Sequence, residues 1–138
     1  MDALISIKPC FVEKILDLSK RYEYRKRLFS QEIDRVYIYD SAPIKKIVGY
    51  FPYNEVVSGD LDEVWKITAD YSGISREYFD KYFNGKEIAY ALSIRGLKRF
   101  EHEVNPNDIF ERFVPPQSFF YIREGIAYEK LRNLKPAN

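Results

Sequence analysis

Eight consecutive residues, Lys20-Arg21-Tyr22-Glu23-Tyr24-Arg25-Lys26-Arg27, hold the densest chemistry in the chain: five cations, one carboxylate and two tyrosines. In an extended strand, side chains alternate between two faces. Lys20, Tyr22, Tyr24 and Lys26 then share one face, and Arg21, Glu23, Arg25 and Arg27 the other. A carboxylate among guanidinium groups accepts their hydrogen bonds and fixes their planar forks. Guanidinium groups fixed beside aromatic rings suit phosphates and bases. The competing reading is an exposed edge strand kept soluble by charge.

The elements around this segment set its context. Leu4-Ile5-Ser6-Ile7-Lys8-Pro9 reads as a strand ended by proline. Phe11, Ile15 and Leu18 follow at helical spacing, with the basic strand next. This order, with Lys20-x-x-Glu23-x-Arg25, resembles the ASCH domain, a family with a PUA-like β-barrel and the signature Gly-x-Lys-x-x-Glu-x-Arg. Leu18 stands where the signature has glycine, so the turn before the strand is expected to form differently, through Ser19. The resemblance continues through Val36-Tyr37-Ile38-Tyr39, Ile47-Val48-Gly49, Trp65, Ser72-Gly73-Ile74, Ala89-Tyr90-Ala91-Leu92 and Pro115-Pro116-Gln117-Ser118-Phe119. It covers nearly the whole chain.

The expected architecture is α+β: a small PUA-like barrel of about six strands with two or three flanking helices. The domain is placed at residues 1–128, and residues 129–138 are read as a polar, mobile tail. Along the chain, Asp34 to Asp40 reads as a strand, and Lys45 to Val57 as a long strand bent at Gly49 and Pro52. Asp60 caps a helix reaching about Asp70, with Glu63 three residues on. Ser75 caps a shorter one that ends at Asn84-Gly85. Lys86 to Leu97 reads as a strand with Ile88, Tyr90, Leu92 and Ile94 on one face, and Gln117 to Arg123 as the last strand. Trp65 falls on the inner stripe of its helix and is assigned to the core.

Composition narrows the function classes. Lys and Arg total 22 and Asp and Glu 21, a net charge of +1, so nucleic-acid affinity has to come from a local patch. A single cysteine, Cys10, excludes an intrachain disulfide and a cysteine-based zinc site, and its apolar setting reads as core. The single histidine, His102, lies between two glutamates and reads as solvated. No metal and no cofactor are expected. No apolar run approaches the ~20 residues of a membrane helix, and no secretory signal is visible at Met1-Asp2-Ala3. A reducing cytoplasm fits.

The resemblance implies a polar cluster at the barrel mouth that binds RNA or a nucleotide-like ligand, in proteins sometimes described as regulators of transcription. Lys8, Lys20, Glu23 and Arg25 line this cleft, Tyr22 and Arg27 assist, and Gln117 and Ser118 offer hydrogen bonds to a base edge. Arg21 and Lys26 are further candidates for phosphate. Lys45 and Lys46 are read as flanking a turn. An enzyme using the same cleft is the alternative, a ribonuclease or an amidohydrolase acting on a modified nucleoside, with Lys20 and Glu23 as its catalytic candidates. The amidohydrolase pattern has a threonine three residues after its lysine, where this chain has Glu23, and its distant glutamate is not recognisable. Glu23 is also expected to keep Lys20 protonated. A protein-interaction module is the third class.

Overall fold

The computed structural model describes all 138 residues, which form two sheets and four α-helices. The first sheet has the order β7-β4-β3-β1-β8. Its strands are β1 (Asp2–Ile7), β3 (Arg35–Asp40), β4 (Lys46–Pro52), β7 (Lys98–Val104) and β8 (Phe119–Ile122). The second sheet has the order β2-β6-β5, from β2 (Tyr22–Arg25), β5 (Val56–Asp60) and β6 (Ile88–Ser93). No strand pairing joins the two, so the strands do not close into a barrel. The strands number eight where about six were expected. β1 runs parallel to β3 and antiparallel to β8.

The alternation of β1 sorts its side chains onto two cores. Ala3, Ile5 and Ile7 join Val36, Ile38, Val48 and Phe51, together with Val12 and Ile15 of helix α1 (Pro9–Leu16) and Leu92 and Ile94 from the second sheet. Leu4 faces the opposite side, with Tyr37, Tyr39, Ile47, Phe100 and Leu131. A third core unites Tyr24 with Ala89 and Ala91 of β6, Val64 of helix α2 (Leu61–Thr68), and Phe79 of helix α3 (Arg76–Tyr82). Both caps lie where the sequence puts them: Asp60 Oδ1 accepts from Glu63 N at 2.8 Å and Ser75 Oγ from Tyr78 N at 3.0 Å. At Gly49 the pairing of β4 with β7 shifts register, and a Cβ there would collide with the Lys98 carbonyl.

Several expectations are revised. In β6 the third core takes Ala89 and Ala91, while Ile88 is exposed. Cys10 is exposed, not core. His102 lies on strand β7 and is exposed as expected. The C-terminal region is no loose tail: α4 (Ile126–Arg132) buries Leu131 completely, and Arg132 makes two hydrogen bonds, of 2.8 and 3.0 Å, to the fully buried Asp2. The turn before β2 is made by Leu18 itself, which adopts the left-handed conformation at φ 70° usual for glycine.

Candidate functional site

A cleft of about 840 Å3 lies between the β1–α1 turn, β2, the β3–β4 turn and the segment leading into β8. Its lining carries seven cations, Lys8, Lys20, Arg25, Lys26, Arg27, Lys45 and Lys86, against one carboxylate, Glu23. A nearly neutral chain thus gathers a third of its positive side chains around one concavity, which focuses a positive potential there.

Lys20 enters this site from the run into β2. Backbone and side chains stitch that run to the segment 71–73: Arg21 N donates to the Tyr71 carbonyl at 2.8 Å, Lys14 Nζ to Gly73 O at 2.9 Å and Lys20 Nζ to Ser72 O at 2.6 Å. Gly73 has φ +69°, and a Cβ there would come within 2.8 Å of three carbons of the Lys20 side chain. Glycine therefore satisfies both the turn and the close approach of the lysine stem. Only 2% of Lys20 is exposed, and its ammonium lies 4.9 Å from the Tyr24 ring centroid and 5.4 Å from that of Phe11. Burial lowers its pKa to about 8, outweighing the opposite pull of Glu23. Glu23 favours the protonated form, as expected, but desolvation is the larger effect, and the amine stays charged only below about pH 8.

Glu23 is committed elsewhere. Its Oε2 accepts from Arg25 Nη2 at 2.9 Å, with both side chains largely buried. Arg25 Nη1 donates to Ser118 Oγ at 3.1 Å, so one guanidinium ties β2 to the segment ahead of β8. Arg25 Nε is buried and has no hydrogen-bond partner. Ser6 holds the other end of this bridge, its Oγ donating to Pro116 O at 2.7 Å and its N–H to Ser118 O at 3.0 Å. Tyr24, beneath Lys20, has its hydroxyl pushed up to about 12 by burial and shares a 2.7 Å hydrogen bond with Thr68.

Lys8, Lys20, Glu23, Arg25, Arg27, Gln117 and Ser118 therefore line one cleft, and Lys26 joins them with its ammonium 4.8 Å from the Tyr82 ring centroid. Tyr22 and Arg21 do not; both line a second cavity. Phe119 lines the cleft while also packing on the first core. Of the pair read as flanking a turn, Lys45 lines the cleft and Lys46 opens β4. Sequence reasoning missed Tyr39, Tyr78, Tyr82 and Lys86, which also line it. Each reaches the site only through tertiary folding, and no local pattern marks it. No group of three or more His, Cys, Asp or Glu is placed to hold a metal ion.

No protein-family model matches the chain. It is 28% identical over 127 residues to an ASCH domain-containing ribonuclease of Zymomonas mobilis, a match covering 89% of this chain and 85% of that protein. It is 29% identical over 123 residues to a large ribosomal subunit protein of Ureaplasma parvum, covering 87% of this chain but only 39% of that protein. The crystal structure of ASCH from Zymomonas mobilis superposes with a TM-score of 0.84 at 26% identity, over 97% of this chain and 96% of that one.

Proposed function

We propose that this chain, an ASCH domain by sequence and by fold, binds RNA in the cationic cleft and promotes cleavage of its backbone. The observation that carries the reading is the Arg25 bridge. Its fork is already held by Glu23 and Ser118, and Nη1, at the exposed end of the group, bonds only Ser118 and keeps a second N–H for a ligand in a cleft of cations. A fixed guanidinium with a free donor is suited to a phosphate oxygen. The relative named a ribonuclease supports RNA as the polymer and cleavage as the chemistry.

In such a cleavage the ribose 2′-hydroxyl gives its proton to solvent water as its oxygen attacks phosphorus, the bond to the 5′-oxygen breaks, and that oxygen takes a proton from water, leaving a 2′,3′-cyclic phosphate and a 5′-hydroxyl. Negative charge accumulates on the non-bridging oxygens. Arg25, held by Glu23 and Ser118, supplies preorganised positive charge there, and the exposed Lys8 and Lys45 add to it. The Ser118 hydroxyl accepts from Arg25, which leaves its own proton to donate to the phosphate. Lys20 and Glu23 hold the site: the amine is buried against Ser72 O and the carboxylate is spent on Arg25. Of the earlier alternatives this favours the nuclease over the amidohydrolase.

A second reading, binding without cleavage as a module attached to other components, is favoured by the match within a longer ribosomal protein. Incubating the protein with labelled single-stranded and duplex RNA at two salt concentrations separates the two. Products ending in cyclic phosphate support the nuclease, and salt-sensitive binding of intact RNA supports the module. Neither binding nor products at low salt would remove RNA as the ligand.

A further inference from the structure

A second cavity, of about 530 Å3, shares only Lys20 with the cleft. The lysine stem is therefore the wall between two concavities. The volume is that of a small-molecule site, and about half the lining is apolar.

Its polar features converge. The Arg21 guanidinium lies 4.1 Å from the centroid of the Tyr71 ring, and Arg21 Nε donates to Leu18 O at 3.2 Å, which fixes the plane of the group. A guanidinium laid on one ring keeps its other face free, a flat cationic platform on which a second ring can stack. Arg95 stands nearby with its side chain 82% exposed, held only by Glu55 at 3.2 Å. Leu18 supplies an apolar edge. It adopts φ 70°, a conformation unfavourable for leucine, and leaves 56% of its surface in solvent. Strain and exposure together disfavour leucine in the isolated protein, and both become intelligible when the side chain meets something.

We propose that this cavity is a second ligand site for a small planar anion of the nucleoside monophosphate class. Its ring lies over the Arg21–Tyr71 stack with Leu18 against the edge, and its phosphate meets Arg95. A peptide chain fits less well, because the platform is a single flat face and the concavity is short. Occupancy bears on the cleft through the shared wall. An anion on the far side of Lys20 favours its protonated form, which extends upward in pH the range over which the cleft, on the RNA reading given above, keeps that charge. The nucleotide acts in this way on RNA binding above about pH 8, where the empty site would leave Lys20 neutral.

The test is an amide NMR titration of the full chain with AMP, with adenosine and inorganic phosphate as separate probes. AMP should give saturable shifts at Tyr71 and across 93–97, with affinity about tenfold above that of either half alone. Arg21→Ala and Arg95→Ala, both at exposed side chains, should each weaken AMP about tenfold with the rest of the spectrum retained. Shifts confined to Lys8, Arg25 and Ser118 would place AMP in the cleft and overturn the proposal. So would no shift at millimolar AMP, or phosphate alone matching AMP. RNA affinity measured on the same samples reads the other hypothesis separately: failure to bind RNA leaves the second site standing, and RNA binding with no AMP response removes it.

Discussion

The Lys20 ammonium has the Ser72 carbonyl as its hydrogen-bond acceptor and two aromatic rings as its remaining close surroundings. Lowering its pKa from the ordinary 10.5 to about 8 corresponds to a penalty of about 3 kcal/mol on the folded state. Below about pH 8 the amine is charged in both folded and unfolded chains, and the whole penalty is present. Between about 8 and 10.5 the unfolded chain binds the proton that the folded one has lost, so this contribution to stability rises with pH. Lys20→Met should therefore stabilise the protein at pH 7 by about 1–2 kcal/mol, the gain reduced by the lost bond to Ser72 O. The advantage should shrink toward pH 10, and urea denaturation at the two pH values reads it. A gain independent of pH would show that packing, not charge, is responsible. Arg25→Lys tests the neighbouring feature. It keeps the charge but loses the fork that spans Glu23 and Ser118, so RNA affinity should fall about tenfold with the slope against salt unchanged. At this scale the spacing Lys20-x-x-Glu23-x-Arg25 made the Glu23–Arg25 pair legible. The burial of Lys20 was not, because the atoms that enclose it come from residues 71–73, some fifty positions away.

Elements were legible where local chemistry decides them. Asp60 and Ser75 announce their helices because a side-chain oxygen satisfies an otherwise unpaired N–H. β5 and β7 were not recognised, for a physical reason in each case. Val56-Val57-Ser58-Gly59-Asp60 ends in turn-forming residues, and pairing with β6 holds it extended nonetheless. Lys98–Val104 is an edge strand in which only Phe100 is buried, so charge hides its alternation. The junction before α3 makes a sharp prediction. Gly73→Ala places a methyl against the Lys20 stem at a positive φ, which should cost about 1–3 kcal/mol. It should also displace Lys20 and weaken RNA binding. Leu18→Gly relieves a comparable conformation with no such contact, and should be neutral or stabilising by up to about 1 kcal/mol. Thermal unfolding of the two variants should move in opposite directions or differ by several degrees. Shifts of equal size and opposite sign would mean that the backbone conformation alone accounts for Gly73 and the lysine contact adds nothing; shifts in the same direction would overturn the strain argument.

Over the whole molecule, the site depends on two sheets meeting without joining. Arg25 from one reaches Ser118 beside the other, and the cations of the cleft come from five stretches of chain. The open arrangement follows from how the strands are distributed, which the alternation of each strand alone does not fix. The first sheet has a further constraint on its far side, where Asp2, fully buried, is held by Arg132 from α4 and by the backbone N–H of Arg35 at 3.1 Å. The helical spacing of Ala127, Leu131 and Leu134 was the available sign that this region packs, masked by the charges between them. Removing one partner of a buried ion pair leaves the other without compensation. Arg132 keeps 26% of its side chain exposed, so water can reach the vacated position and the cost falls toward the low end. Arg132→Ala should destabilise the fold by about 2–3 kcal/mol, and Asp2→Asn in the same chain should recover part of that loss by removing the uncompensated charge. Urea midpoints of the two single variants and the double variant measure the coupling. RNA binding by the folded fraction should be unchanged in all three, because neither residue lines the cleft. Loss of affinity in chains that remain folded would mean that the C-terminal helix sets the geometry of the site across the sheet, and the clasp would then belong to function as well as to stability.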